Sequence, residues 1–129
     1  MSLLSISAVF GGAGVGACLR WWLGAILNPL VPLLPMGTLT ANLLGGLLVG
    51  TAVAFFSHDG GVAPEWRLLI ITGFLGGLTT FSTFSAEVVG LIGRSEYLWA
   101  MATAGAHLAG SLVLTAIGLF AATALFARH

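Results

Sequence analysis

The chain has 129 residues, of which 58% are hydrophobic and 6% charged, with a formal net charge of zero and a mean hydropathy of +1.08. A soluble domain is about 25% charged, so this chain cannot cover a water-facing surface; lipid is its main solvent, and its length allows one domain. It has no lysine and no net positive charge to set against phosphates, which excludes nucleic acid as a partner, and its single Cys18 has no disulfide or metal-site partner.

A membrane-spanning helix needs about 20 mostly apolar residues. The first such segment is Leu3–Leu27. It lacks the basic start of a signal peptide and runs on past Arg20, so it reads as a retained span. Arg20 is near enough to its end to snorkel. Asn28–Met36 follows with three prolines and breaks the chain. The second span is Gly37–Ser57. It carries Thr38, Asn42, Gly46 and Gly50 four residues apart, on one helix face. The second connector starts at His58-Asp59-Gly60-Gly61 and ends near Pro64.

The third span is Trp66–Gly93. Three glycines between Gly73 and Gly77 weaken its helix. The hydroxyls of Thr79, Thr80, Ser82 and Thr83 then compete for backbone groups and favour caps. A break around Gly76-Gly77-Leu78-Thr79-Thr80 is expected. Backbone groups freed at that depth are tolerated only inside protein or along a wet cavity, and half-helix carbonyl ends are suited to cations. Phe81 and Phe84 are neighbours beyond the break, and their positive ring edges could meet an anion. Thr80, Thr83 and Glu87 share an adjoining face. An acid inside a span is a functional candidate by default.

The third connector is Arg94-Ser95-Glu96. The fourth span, Tyr97–Phe126, carries Thr103, His107, Ser111 and Thr115 on one face. Such a polar line serves either close helix packing or a lined pathway. Gly12/Gly16, Gly46/Gly50 and Gly73/Gly77 read as packing pairs. Trp21, Trp22, Trp66, Tyr97 and Trp99 lie near span ends, as interfacial aromatics do. Arg67 and Arg128 fall on one side of the membrane, against Arg94 and Arg20 towards the other. So even a balance leaves orientation unfixed, and two opposed copies could pair.

Three motifs now stand together: Gly11-Gly12-Ala13-Gly14-Val15-Gly16-Ala17 with Arg20; Gly37-Thr38-Leu39 with Asn42; and Gly73 through Ser85 with Glu87. They closely resemble the Fluc (CrcB) family of bacterial fluoride channels over essentially the whole chain. The resemblance implies an all-α integral membrane protein of the bacterial plasma (inner) membrane, surrounded by lipid. It implies four spans, the third broken, and an antiparallel, dual-topology homodimer with two pores. It implies passive export of fluoride from the cytoplasm, which lowers fluoride toxicity, and no catalysed reaction. On the residues here it places Asn42, Phe81 and Phe84 in the pore, with Thr38, Ser82, Thr83, Glu87, Ser111 and Thr115 along its polar track. Arg20 falls at a vestibule. The carbonyls of Gly76 and Thr79 would hold a structural Na+ at the dimer centre.

Three other classes fit less. A four-helix drug exporter relies on an acid in the first span, and this first span has none. A purely structural membrane subunit leaves Asn42 and the Phe pair without a role. Gly12-Ala13-Gly14-Val15-Gly16-Ala17 meets a dinucleotide-binding pattern. The acid expected about 20 residues further on is missing, since the first acid is Asp59.

Overall fold

The computed structural model describes residues 1–129 and is entirely helical. Helix α1 covers Leu3–Leu27, its first turn capped by Ser2, whose Oγ accepts the Ser5 N–H at 3.0 Å. A 3-10 turn at Asn28–Leu30 opens the proline connector. Helix α2 runs from Met36 to His58. Its first N–H groups are met from outside the helix: Asn28 Oδ1 accepts from Gly37 N at 2.8 Å and Thr38 N at 3.2 Å. The third span holds α3 (Pro64–Arg67), a wide π-helical stretch (Leu68–Leu75), α4 (Gly76–Leu78) and α5 (Phe81–Gly93). Helix α6 is Tyr97–Phe126. Four helical stretches are thus long and apolar enough to cross a membrane.

Only 19 of 129 residues are buried, and large apolar side chains such as Phe10, Trp21 and Phe120 face outward. In water that surface would aggregate; in lipid it is the expected exterior. Without a hydrophobic drive between helices, close backbone approach must hold the bundle. Gly12 and Gly16 on α1 lie directly on the backbone of Leu69–Leu78, and Gly73 and Gly77 lie back against α1 at Val9 and Ala13. On the other side, Gly46 and Gly50 of α2 face Ser111 and Thr115 of α6, while Gly118 returns the contact at Leu47 and Thr51. The small residues read from the sequence therefore form two seams, α1 with the third span and α2 with α6.

The third span shows one departure from expectation. Its glycines do not release the helix: Gly76 is helical at φ −63°, ψ −37°, and Gly77 is packed on Ala13. Helical backbone stops after Leu78. Thr79 (φ −83°, ψ 154°) and Thr80 (φ −150°, ψ 122°) are extended, and the helix resumes at Phe81. The turn is carried by the two threonines, while the glycines admit α1.

Candidate functional site

The interruption at Thr79-Thr80 is held by side chains rather than by another backbone. Asn42 on α2 reaches across to Thr80: its Oδ1 accepts the Thr80 N–H at 2.7 Å and its Nδ2 donates to the Thr80 carbonyl at 2.9 Å. Thr80 Oγ1 then caps α5 by accepting the Thr83 N–H at 3.1 Å. Thr79 folds its hydroxyl back onto the Leu75 carbonyl at 2.8 Å. Arg20 Nε donates to the Gly77 carbonyl at 3.1 Å.

In an unbroken helix the carbonyls of Gly76 and Thr79 would accept from the N–H groups of Thr80 and Thr83. Both donors are diverted here, to Asn42 Oδ1 and Thr80 Oγ1. The two carbonyls named for Na+ have lost their helical partners. A hard cation takes oxygen ligands of this kind, so the donor set fits that ion.

Beside the interruption lies an open cavity of about 290 Å³. Its wall includes Asn42, Thr80, Phe81, Phe84, His107 and Ser111, and no charged residue lines it. Phe81 and Phe84 meet edge to face, with centroids 5.5 Å apart at 65°. The Phe84 ring leans on His107 at 4.7 Å. His107 Nδ1 lies 3.0 Å from Asn42 Nδ2.

The other candidate residues fall around this centre. Thr38, one turn before Asn42 on α2, donates its hydroxyl to Glu87 Oε1 at 2.6 Å. Glu87 also lines a smaller cavity of about 240 Å³, with Pro32, Pro35 and Arg94 at the connector end of the bundle. Thr115 lies beyond Ser111 and donates to the Gly46 carbonyl at 3.0 Å. Ser82 is exposed and 3.4 Å from Thr80 Oγ1. Thr83 Oγ1 accepts from Thr80 Oγ1 at 3.1 Å. Thus Asn42, Phe81, Phe84 and Ser111 share one cavity, while Thr38 and Glu87 form a pair one turn away. Arg20, read as a snorkelling or vestibule residue, points its Nε into the bundle at Gly77. A guanidinium beside a carbonyl freed by the interruption is the cause.

Thr103 and His107 sit on the polar line of α6 but outside the expected pore set. They are 0% and 4% exposed. A buried polar atom left unpaired costs about 1–3 kcal/mol. Three such side-chain atoms exist in the chain: Glu87 Oε2, Thr103 Oγ1 and His107 Nε2.

These features define a small multi-pass membrane protein with a cation-free cavity, largely apolar but edged by Asn42, Thr80, His107 and Ser111, at the interruption of its third span. The chain belongs to the CrcB family: the family described as "CrcB-like protein, Camphor Resistance (CrcB)" matches residues 7–119. Its relatives include a protein of Burkholderia vietnamiensis named "Fluoride-specific ion channel FluC", 57% identical over 95% of this chain and 96% of the relative. Proteins of the same name from Nitrosospira multiformis and Pseudomonas putida are 56% and 59% identical. They cover 92% and 91% of this chain, and 93% and 92% of their own length.

Proposed function

We infer that this chain forms a fluoride-selective channel. It exports fluoride from the bacterial cytoplasm across the plasma membrane by passive electrodiffusion, and no bond is made or broken. The family and the names of its relatives support the ion; the cavity supports the mode of action. A small, strongly hydrated anion needs donors in place of lost water, and its release requires that no fixed cation trap it. The wall carries no fixed cation and offers the Ser111 hydroxyl and the ring edges of Phe81 and Phe84, while the Asn42 amide is taken up by Thr80 and His107. Thr38, Ser82, Thr83, Glu87 and Thr115 extend the polar track, and Arg20 braces the interruption beside the path.

The working unit is an antiparallel homodimer of one transmembrane domain per chain, surrounded by lipid. The near-balance of arginines supports insertion in both orientations. Gly76 and Thr79 carbonyls from each chain would hold the structural Na+ at the centre, where the ion would join the two broken third spans.

Purified protein in liposomes loaded with fluoride, read by a fluoride electrode, tests the assignment. Fluoride leaves and chloride stays if it holds. No efflux, or equal passage of chloride, ends it.

A further inference from the structure

Two positions of α2, three residues apart on one helix face, meet the interruption of the third span. Asn42 takes Thr80. Its Oδ1 accepts the Thr80 N–H, so Nδ2, which can only donate, serves the Thr80 carbonyl and His107 Nδ1. Gly45 takes Thr79. A Cβ on Gly45 would overlap the Thr79 methyl carbon, Cγ2, and lie 3.7 Å from the Thr79 Cβ. Gly45 belongs to neither glycine seam. Gly12, Gly16, Gly50 and Gly118 abut the backbone of an opposing helix, and Gly46, the very next residue, turns to Ser111 of α6. Gly45 receives a side chain of the interruption itself.

Thr79 is thereby held at both branches of its side chain. Its hydroxyl donates to the Leu75 carbonyl at 2.8 Å, and its methyl lies in the notch over the Gly45 Cα. A β-branched side chain is stiff about χ1. Anchoring both branches fixes the orientation of the residue and, at φ −83°, ψ 154°, the direction of its carbonyl. No helical partner aims that carbonyl, because the Thr83 N–H bonds Thr80 Oγ1 instead. The third span has no room to retreat from α2: Leu78 is 0% exposed, and its nitrogen would lie 2.7 Å from a Cβ on Gly16 of α1. A methyl on Gly45 therefore has two effects open to it. It turns Thr79 about χ1 and breaks the Leu75 bond, or it pushes the extended backbone and moves the carbonyl.

We propose that Gly45 is a positioning residue for the cation between the broken third spans: its bare Cα is a socket that seats the Thr79 methyl and so aims the Thr79 carbonyl. Gly45 acts only through Thr79. The socket gives both branches of the threonine a task, the hydroxyl at Leu75 and the methyl at Gly45. The proposal rests on the reading that the Gly76 and Thr79 carbonyls hold sodium.

Thermal melts of the detergent-solubilised full chain over a sodium series, with choline holding ionic strength constant, test it. The quantity read is the sodium concentration that gives half of the rise in melting temperature. Gly45→Ala should raise this midpoint by about 10- to 100-fold, the range typical when a group that orients a metal ligand is lost. The double variant Gly45→Ala/Thr79→Ser moves one methyl from Thr79 to Gly45 and keeps the hydroxyl and the total volume. It should return to the midpoint of Thr79→Ser alone. Gly50→Ala crowds the α6 seam; it should lower the melting temperature but keep the wild-type sodium midpoint, which separates aiming from packing. A wild-type midpoint in Gly45→Ala, a double variant as impaired as Gly45→Ala, or an equal shift in Gly50→Ala overturns the socket. If Gly45→Ala yields no folded protein, the double variant decides: folding with the Thr79→Ser midpoint supports the socket, and failure to fold overturns it. A wild type that melts alike in sodium and choline ends the sodium reading itself, and the socket falls with it.

Discussion

Asn42 replaces, for Thr80, the helical turn that Thr80 has left. Its amide accepts the Thr80 N–H at 2.7 Å and donates to the Thr80 carbonyl at 2.9 Å, a two-point clamp from α2 onto the third span. Few arrangements inside lipid can satisfy an extended residue, so the site and its stability share this side chain.

Asn42→Ala should therefore lower both. Two buried backbone groups lose their partners, at about 1–3 kcal/mol each. Thermal unfolding of the detergent-solubilised protein should shift down, and fluoride efflux should be lost. Asn42→Asp should lose efflux as well. The new carboxylate still accepts from Thr80 N, but it faces the Thr80 carbonyl and the lone pair of His107 Nδ1. An unchanged melting temperature for Asn42→Ala would remove the clamp from the argument.

The glycine seams separate positions that look alike in sequence. A Cβ at Gly16 would overlap the Phe74 carbonyl and come within 2.7 Å of Leu78 N; one at Gly14 meets nothing within 4 Å. Gly50 and Gly105 form the same contrast on the α2–α6 side, where Gly50 abuts the backbone of Thr115 and Leu119. Gly16→Ala and Gly50→Ala should destabilise by about 1–3 kcal/mol through overpacking. Gly14→Ala and Gly105→Ala should be neutral or stabilising, since alanine is the better helix former. Circular dichroism melts of the four variants decide it; equal shifts would contradict the seams.

Arg20 makes a bond that a snorkelling arginine would not. Its Nε reaches the Gly77 carbonyl, whose helical partner has been displaced by the Thr79-Thr80 turn. Arg20→Leu should cost about 1.5–3 kcal/mol, the value of a hydrogen bond to a charged group. Arg20→Lys should recover part of it, because an ammonium keeps the charge but loses the planar fork. If the leucine variant unfolds at the wild-type temperature, the bond contributes nothing.

Much of this was legible from the residues alone. Apolar length and the proline connector mark the spans, and α1 and α6 have the bounds that apolar run and breakers suggest. The four-residue lines on α2 and α6 do face one another. Periodicity could not say what each polar atom bonds. The glycines of the third span read as helix breakers because propensity is local, whereas their role at Ala13 comes from a neighbour 60-odd residues away in sequence. Spacing likewise could not show that Arg20 bonds the Gly77 carbonyl. Asn42 read as a pore residue, but whether its hydrogens are free depends on Thr80 and His107. The openness of His107 Nε2 and Thr103 Oγ1 is likewise a property of packing.

Sodium should act as a stabilising ligand if the Gly76 and Thr79 carbonyls hold it. A ligand that binds only the folded dimer adds about 1.4 kcal/mol for each tenfold rise above its dissociation constant. The melting temperature should climb with NaCl and fall when choline chloride replaces it at equal ionic strength. Potassium, being larger, should substitute poorly. Identical melts in all three salts would leave the two freed carbonyls without an ion.

Phe81 offers the cleanest separation of conduction from folding. Its side chain is 78% exposed in the single chain, so little of its apolar area helps to hold this bundle. What it contributes inside the chain is the edge-to-face contact with Phe84 at 5.5 Å, a pairing worth about 0.5–1.5 kcal/mol. Phe81→Ile keeps an apolar surface and removes the ring, and with it the positive edge an anion would meet. Efflux should fall by about tenfold or more, while the unfolding temperature moves by no more than that pairing allows. Phe84→Ile differs, because Phe84 also leans on His107 at 4.7 Å and should lose stability together with transport. A Phe81→Ile channel that conducts normally would mean that the ring edge does not face the ion. One that merely unfolds would mean that Phe81 is packing, covered in the assembly by something the single chain does not supply.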